Sequence, residues 1–216
     1  MANEITNGCR WIGTRFDCEH IQPGAYRLSL SDAAHSYFLE VLERRTEVAG
    51  CFVIDMQKGL LEISMTKVRQ GRRDNVDIPS GCIIAFHSHP GKCPARGESC
   101  ALDCPSDADM LLVLHDCMRG TAEHWVACHT GYFITGISEH MRLTLNGMSP
   151  GRRREAERNV GRVFKQAHKS FEGRLQRGTV TLESFRPQWL AIAKREGFDS
   201  RFVPRGSVPT TVLHVG

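Results

Sequence analysis

The chain has 216 residues, 41% of them hydrophobic and 24% charged, which suits one globular domain with a helical appendage and leaves little room for two full domains. No stretch approaches the roughly 18 uninterrupted apolar residues of a membrane helix, and the opening MANEITNGCRWIGTRF has no apolar signal core. The expectation is a protein with no membrane partner, in a reducing cytoplasmic or nuclear setting. Nine cysteines are an odd number in a chain too long to depend on disulfide staples, and Cys51 and Cys82, each heading an apolar run, read as buried reduced thiols.

Residues 1–24 read as an N-terminal arm. Over residues 31–45 the apolar positions Ala34, Tyr37, Phe38, Val41 and Leu42 recur at helical spacing behind Ser31 or Asp32 as N-cap. Residues 47–54 and 60–68 are β-rich runs joined through Gln57-Lys58-Gly59, the composition of a hairpin turn. In the second run Leu61, Ile63 and Met65 alternate with Glu62, Ser64 and Thr66. The polar stretch 69–80 reads as a loop, and 82–86 (CIIAF) as a short central strand that ends directly in His87-Ser88-His89-Pro90.

A loop rich in Gly, Pro and Cys runs to Pro105, and Ser106 then opens a helix over DADMLLVLHDCM that Gly120 can terminate. Residues 125–128 and 132–137 flank Thr130-Gly131 as another hairpin. Past Pro150, the stripe Val160, Val163, Phe164, Ala167 and Phe171 predicts a helix with arginines on its remaining faces. A further helix is expected from near Pro187, tolerated in a first turn, to Glu196. Residues 201–216 read as an added strand or a loose arm. The chain divides on this reading into the arm 1–24, a domain 25–148, a helical extension 149–200 and a tail 201–216.

The chemistry concentrates around His87-x-His89. Side chains alternate along a strand, so two histidines at this spacing leave the chain on one side and can clamp a metal. A hydrolytic zinc site takes three N/O ligands and keeps a fourth position open, so one carboxylate is needed besides. Asp107 and Asp109 are the nearby candidates. Ser106-Asp107-Ala108-Asp109 also fits a capping box, in which the serine and an acidic residue three positions on satisfy free helix-end donors.

Glu47-Val-Ala-Gly, His87-Ser-His-Pro-Gly and Ser106-Asp-Ala-Asp109 occur in the order of the JAMM (JAB/MPN-plus) metalloprotease pattern, and residues 31–137 resemble that family. The resemblance implies an α/β fold of cytidine-deaminase-like architecture, a mixed β-sheet flanked by helices, here with a mainly helical C-terminal extension. It implies Zn2+ held by His87, His89 and Asp109, with Asp107 a bystander. Glu47 would work the attacking water and Ser106 would stabilise the oxyanion. The implied activity is that of an isopeptidase or peptidase acting on a ubiquitin or ubiquitin-like conjugate. The alternative is an MPN-type scaffold or assembly subunit that retains the metal site.

One departure from the pattern is the gap of nineteen residues between His89 and Asp109, longer than the family's. The extra chain carries Cys93, Cys100 and Cys104, which together with Cys117, or His115, form a candidate second zinc site, although no Cys-x-x-Cys occurs. Residues 151–177 hold nine Arg/Lys against three Glu. The cluster Arg152, Arg153, Arg154, Arg158, Arg162, Lys165 and Lys169 is either the solvated side of a helix or a surface for an acidic protein or nucleic acid. No aromatic residues interleave with the arginines from 152 to 162 and no nucleic-acid-binding motif accompanies them, which argues against base recognition.

Overall fold

A computed structural model of the chain describes residues 9–12, 15–18, 21–44, 46–72, 75–90 and 104–216. It opens with β1 (Cys9–Ile12), β2 (Arg15–Cys18) and β3 (Gly24–Leu30). Ser31 caps α1 (Asp32–Leu42), its hydroxyl accepting from the Ala34 N–H at 3.1 Å, and the helix buries Ala34, Phe38, Val41 and Leu42. The next two strands, β4 (Val48–Asp55) and β5 (Leu60–Ile63), form the expected hairpin, with Gly59 in the left-handed conformation at φ 67°.

The second β-rich run stops short of its expected length. After Ile63 come a 3-10 turn, Met65–Lys67, and β6 (Arg69–Gln70), which folds back onto β4. The alternation through Met65 had no core to face, since that side chain is 67% exposed.

Then follow β7 (Ile84–Ser88), α2 (Asp107–Met118) and the hairpin β8 (Glu123–Cys128) with β9 (Gly131–Ile137). A helix that the sequence pattern does not announce, α3 (Glu139–Asn146), is capped by Ser138 and buries only Met141, Arg142 and Leu145. Next is α4 (Pro150–Gln176), with proline in its first turn.

The last helix, α5 (Leu182–Arg195), carries Pro187 inside it, so the expected start near Pro187 is corrected. A reciprocal cap between Thr181 and Ser184, with burial of Phe185 and Trp189, outweighs the one hydrogen bond that proline cannot donate. The chain ends in β10 (Phe198–Pro204) and β11 (Thr210–Val215), so residues 201–216 are sheet strands and not a loose arm.

The result is a mixed α/β fold: five α-helices among the described residues flank one curled, mixed sheet with strand order β1-β2-β11-β3-β5-β4-β7-β8-β9-β10. The curl follows from connectivity. β10 and β11 lie seven strand positions apart, roughly 34 Å in a flat sheet. The six Cα steps from Pro204 to Thr210 reach at most about 20 Å.

Two cores lie on opposite faces, as alternation along β8 shows. Trp125 and Ala127 join Phe38, Phe52, Phe86 and Tyr132 under α1, with Phe38 edge-on to Phe86 at 5.0 Å and Phe52 on Trp125 at 5.1 Å. Val126 and Cys128 join Val113, Leu114, Phe133, Phe164, Trp189 and Phe198 beneath α2, α4 and α5. This second core runs across residue 149 without a break.

Cys51 and Cys82 are joined by a disulfide, which corrects the reading of both as reduced thiols. Cys51 lies on β4 opposite Ala85 of β7, and Cys82 just precedes that strand, so antiparallel pairing brings the two sulfurs together. The support that these two cysteines lent to a reducing compartment goes with it. No helix among the described residues is long and apolar enough to cross a membrane.

Candidate metal centre

The site is assembled at the end of β7. This strand pairs antiparallel with β4, Ala49 opposite His87, and parallel with β8, His87 beside Val126. The ladder with β8 continues past the strand's end, the His89 N–H donating to the Ala127 carbonyl at 2.8 Å. On the β4 side the wholly buried Ser88 hydroxyl accepts from the Val48 N–H at 2.9 Å. The segment bearing His87 and His89 is therefore held on both sides, and period-two alternation sends both imidazoles to the face covered by α2.

The carboxylate arrives from α2. The Ser106 hydroxyl accepts from the Asp109 N–H at 3.1 Å, while the Ser106 N–H donates to Asp109 Oδ2 at 2.6 Å. This capping box orients the same carboxylate toward the histidines. His87 Nε2 lies 3.2 Å from Asp109 Oδ1, His89 Nε2 lies 3.3 Å from Asp109 Oδ2, and the two Nε2 atoms are 2.9 Å apart.

Ligand atoms of the three residues fall within 4.8 Å of one another, so the group can hold a metal ion; among the described residues no other cluster of three or more His, Cys, Asp or Glu does so. Asp107, the first residue of α2, is not in the group. His87 is 2% exposed, against 21% for the His89 side chain and 15% for Asp109, so the centre opens on the side of the last two.

Protonation suits a cation. Burial works to raise the Asp109 carboxyl, but the adjoining His87 and His89 imidazoles outweigh it and hold the group well below the ordinary carboxylate range. Burial lowers the His87 imidazole more than Asp109 raises it, leaving the ring neutral with a lone pair to offer.

Glu47 directly precedes β4, half-buried. Its N–H donates to the Arg72 carbonyl at 2.7 Å and its own carbonyl accepts from the Gly71 N–H at 2.9 Å. The paired β4–β7 ladder ends at Ala49 opposite His87, two residues beyond Glu47.

Two histidines near the centre escaped the sequence reading. His124 on β8 is 0% exposed, and its Nε2 lies 2.7 Å from His87 Nδ1. Burial, then His87, push it down to about 3, so it too is neutral. Its signal in the sequence is a lone histidine just before the apolar run at Trp125, which β8 extends to include.

The other is His168 on α4. His115 meets Glu157 at 3.6 Å and Leu111 packs on Gly161, so α4 runs antiparallel to α2 and its later turns reach the Asp109 end. Burial lowers the His168 imidazole, against the pull of Asp107, Glu172 and Asp109.

Of the candidate second zinc ligands, Cys93 and Cys100 lie outside the described residues. Cys104 and Cys117 are buried in the α2 core, and neither belongs to a metal-competent group among the described residues. The Cys117 thiol faces the Ala122 carbonyl at 3.7 Å and burial pushes it up to about 12. On α4, Arg153 folds back to donate to the Leu145 carbonyl at 2.9 Å, whereas Arg152, Arg154, Arg158, Arg162, Lys165 and Lys169 are exposed. Comparison with protein-family models, with curated proteins and with solved structures finds no match to this chain.

Proposed function

We propose that this chain is a zinc-dependent hydrolase of amide bonds, an isopeptidase or peptidase of the JAMM type that removes ubiquitin or a ubiquitin-like modifier from lysine. The observation that carries the reading is the convergence of His87, His89 and Asp109 within 4.8 Å. The substrate class rests on the resemblance of the motifs, and the mixed sheet flanked by helices is compatible with the cytidine-deaminase-like architecture that goes with it.

The donor set fits zinc: two imidazoles and an ionised carboxylate are the three N/O ligands of a hydrolytic centre. When bound, zinc supplies Lewis acidity, which polarises a carbonyl and makes water acidic enough to react near neutral pH. This chain's residues supply the rest. His87, buried and held from behind, and His89, nearer solvent, present their Nε2 atoms, while Asp109 contributes the negative charge.

Glu47 takes the proton of the attacking water and delivers it to the departing amine. Ser106 uses its hydroxyl as an acceptor in the helix cap. That role is compatible with donating its proton to the oxyanion that forms on the substrate carbonyl. The exposed cations of α4 offer an acidic protein partner a surface on the helix that borders the centre.

The test is metal content by elemental mass spectrometry beside cleavage of a lysine-isopeptide substrate. Glu47→Gln is expected to keep zinc and lose hydrolysis, and His89→Ala to lose both. Full activity in zinc-free wild-type protein overturns the reading. A wild-type chain that takes up no zinc turns it toward an assembly subunit.

A further inference from the structure

We infer that His124 is a positioning residue of the metal centre: a buried imidazole that holds His87 in the one ring orientation and tautomer able to ligate a metal through Nε2. The inference rests on the zinc reading above and extends it to a residue outside the ligand set.

The geometry is that of a ligand backed by a second ring. His87 turns Nε2 toward His89 and Asp109, at 2.9 and 3.2 Å, and Nδ1 toward His124 Nε2 at 2.7 Å. The two ring planes stand at 73°, so the His124 nitrogen meets its neighbour edge-on. His87 is 2% and His124 0% exposed, which leaves no room for solvent to take over the contact. Adjacent parallel strands supply the two rings, His124 opposite Ala85 and therefore two residues before the position beside His87.

The tautomer follows from valence. A neutral histidine that gives the Nε2 lone pair to a metal must carry its proton on Nδ1. That N–H can donate only to His124 Nε2, which must then be an acceptor, so the His124 proton sits on its Nδ1. This last atom is buried without a hydrogen-bond partner among the described residues.

A side chain chosen for packing alone would not leave a buried polar atom unpaired; leucine or phenylalanine would fill the space without that cost. The orphaned nitrogen marks His124 as present for what its other nitrogen does. Loss of such an outer partner typically weakens metal binding by about 10–100-fold.

The experiment uses the full chain, with zinc affinity measured by competition with a chromophoric chelator, electronic absorption of the cobalt-substituted protein, and the melting temperature of the metal-free form. His124→Phe keeps the ring volume and removes both nitrogens. It is expected to bind zinc about 10–100-fold more weakly, with altered cobalt d–d bands and an unchanged or higher metal-free melting temperature. His124→Gln, whose side-chain carbonyl can accept from His87, is expected to recover the greater part of the affinity.

In zinc-loaded wild-type protein, long-range 15N–1H correlation should find both His87 and His124 protonated on Nδ1. That measurement decides the matter even if the phenylalanine variant does not fold. A His124 protonated on Nε2 overturns the inference, as does a His124→Phe chain with wild-type zinc affinity and cobalt spectrum. In the second case zinc binding that still depends on His87 leaves the hydrolase reading standing, whereas a wild-type chain that binds no zinc removes both.

Discussion

Asp109→Asn separates the two roles of one carboxylate, as helix cap and as proposed metal ligand. The amide keeps the side chain's shape, and its carbonyl can still accept from the Ser106 N–H, now at 2.6 Å from Oδ2. The Ser106 hydroxyl still accepts from the backbone N–H of residue 109, so the capping box survives. The folded state loses a charge at the N-terminus of α2, roughly 0.3–1 kcal/mol. For a chain of this length that term lowers the melting temperature by about 2–4 °C, beside the lost contact of the charge with the two imidazoles.

On the proposed reading, metal binding suffers far more. A four-ligand structural zinc contributes about 10–16 kcal/mol, so one ligand corresponds to roughly 3 kcal/mol, or about 100-fold in affinity. Asp107→Asn is the control, since it removes the same charge from the same helical turn at a position outside the ligand group. Chelator competition on both variants should show a zinc affinity lost in Asp109→Asn alone, with thermal melting confirming that both fold. Wild-type zinc affinity in Asp109→Asn, or an equal loss in Asp107→Asn, would refute the assignment.

Gly50→Ala should destabilise the chain by about 1–3 kcal/mol in urea. The added methyl would meet the Phe86 ring at 2.6 Å, and that ring is 0% exposed; an unchanged midpoint would show that the ring can yield. Metal-free protein should lose stability on acidification because burial takes His124 from 6.5 to about 3. The unfolded chain binds this proton below about 6.5 and the folded chain does not, so the contribution is intact above 6.5 and shrinks as pH falls toward 3. At pH 5 the loss is about 2 kcal/mol, and equal pH dependence of wild type and His124→Phe in urea would contradict it. Replacing Cys51 and Cys82 by Ala opens a loop closed across 31 positions, at a cost of about 3–4 kcal/mol. A non-reducing peptide map should recover the Cys51–Cys82 pair, and two alkylated thiols in its place would refute the pairing.

The metal-competent group was legible in the sequence because each part of it is a local arrangement. His87 and His89 share a face through the period of a strand, and Ser106 and Asp109 meet through the geometry of a helix end, so neither pairing needs distant chain. The hairpin at Gly59 and the apolar stripes of α1 and α4 are local in the same sense. The Cys51–Cys82 disulfide, the contact of His124 with His87, the curl that brings β10 and β11 to a short link, and α4 beside Asp109 were decided by tertiary structure. Each depends on which strand lies next to which and in what register, and those pairings are selected by burial of two opposite sheet faces at once. Pro187 shows the same competition within one element: read locally it starts a helix, but the buried faces of Phe185 and Trp189 carry the helix through it. Periodicity names the faces of each element, and only the packing of all of them together chooses the partners.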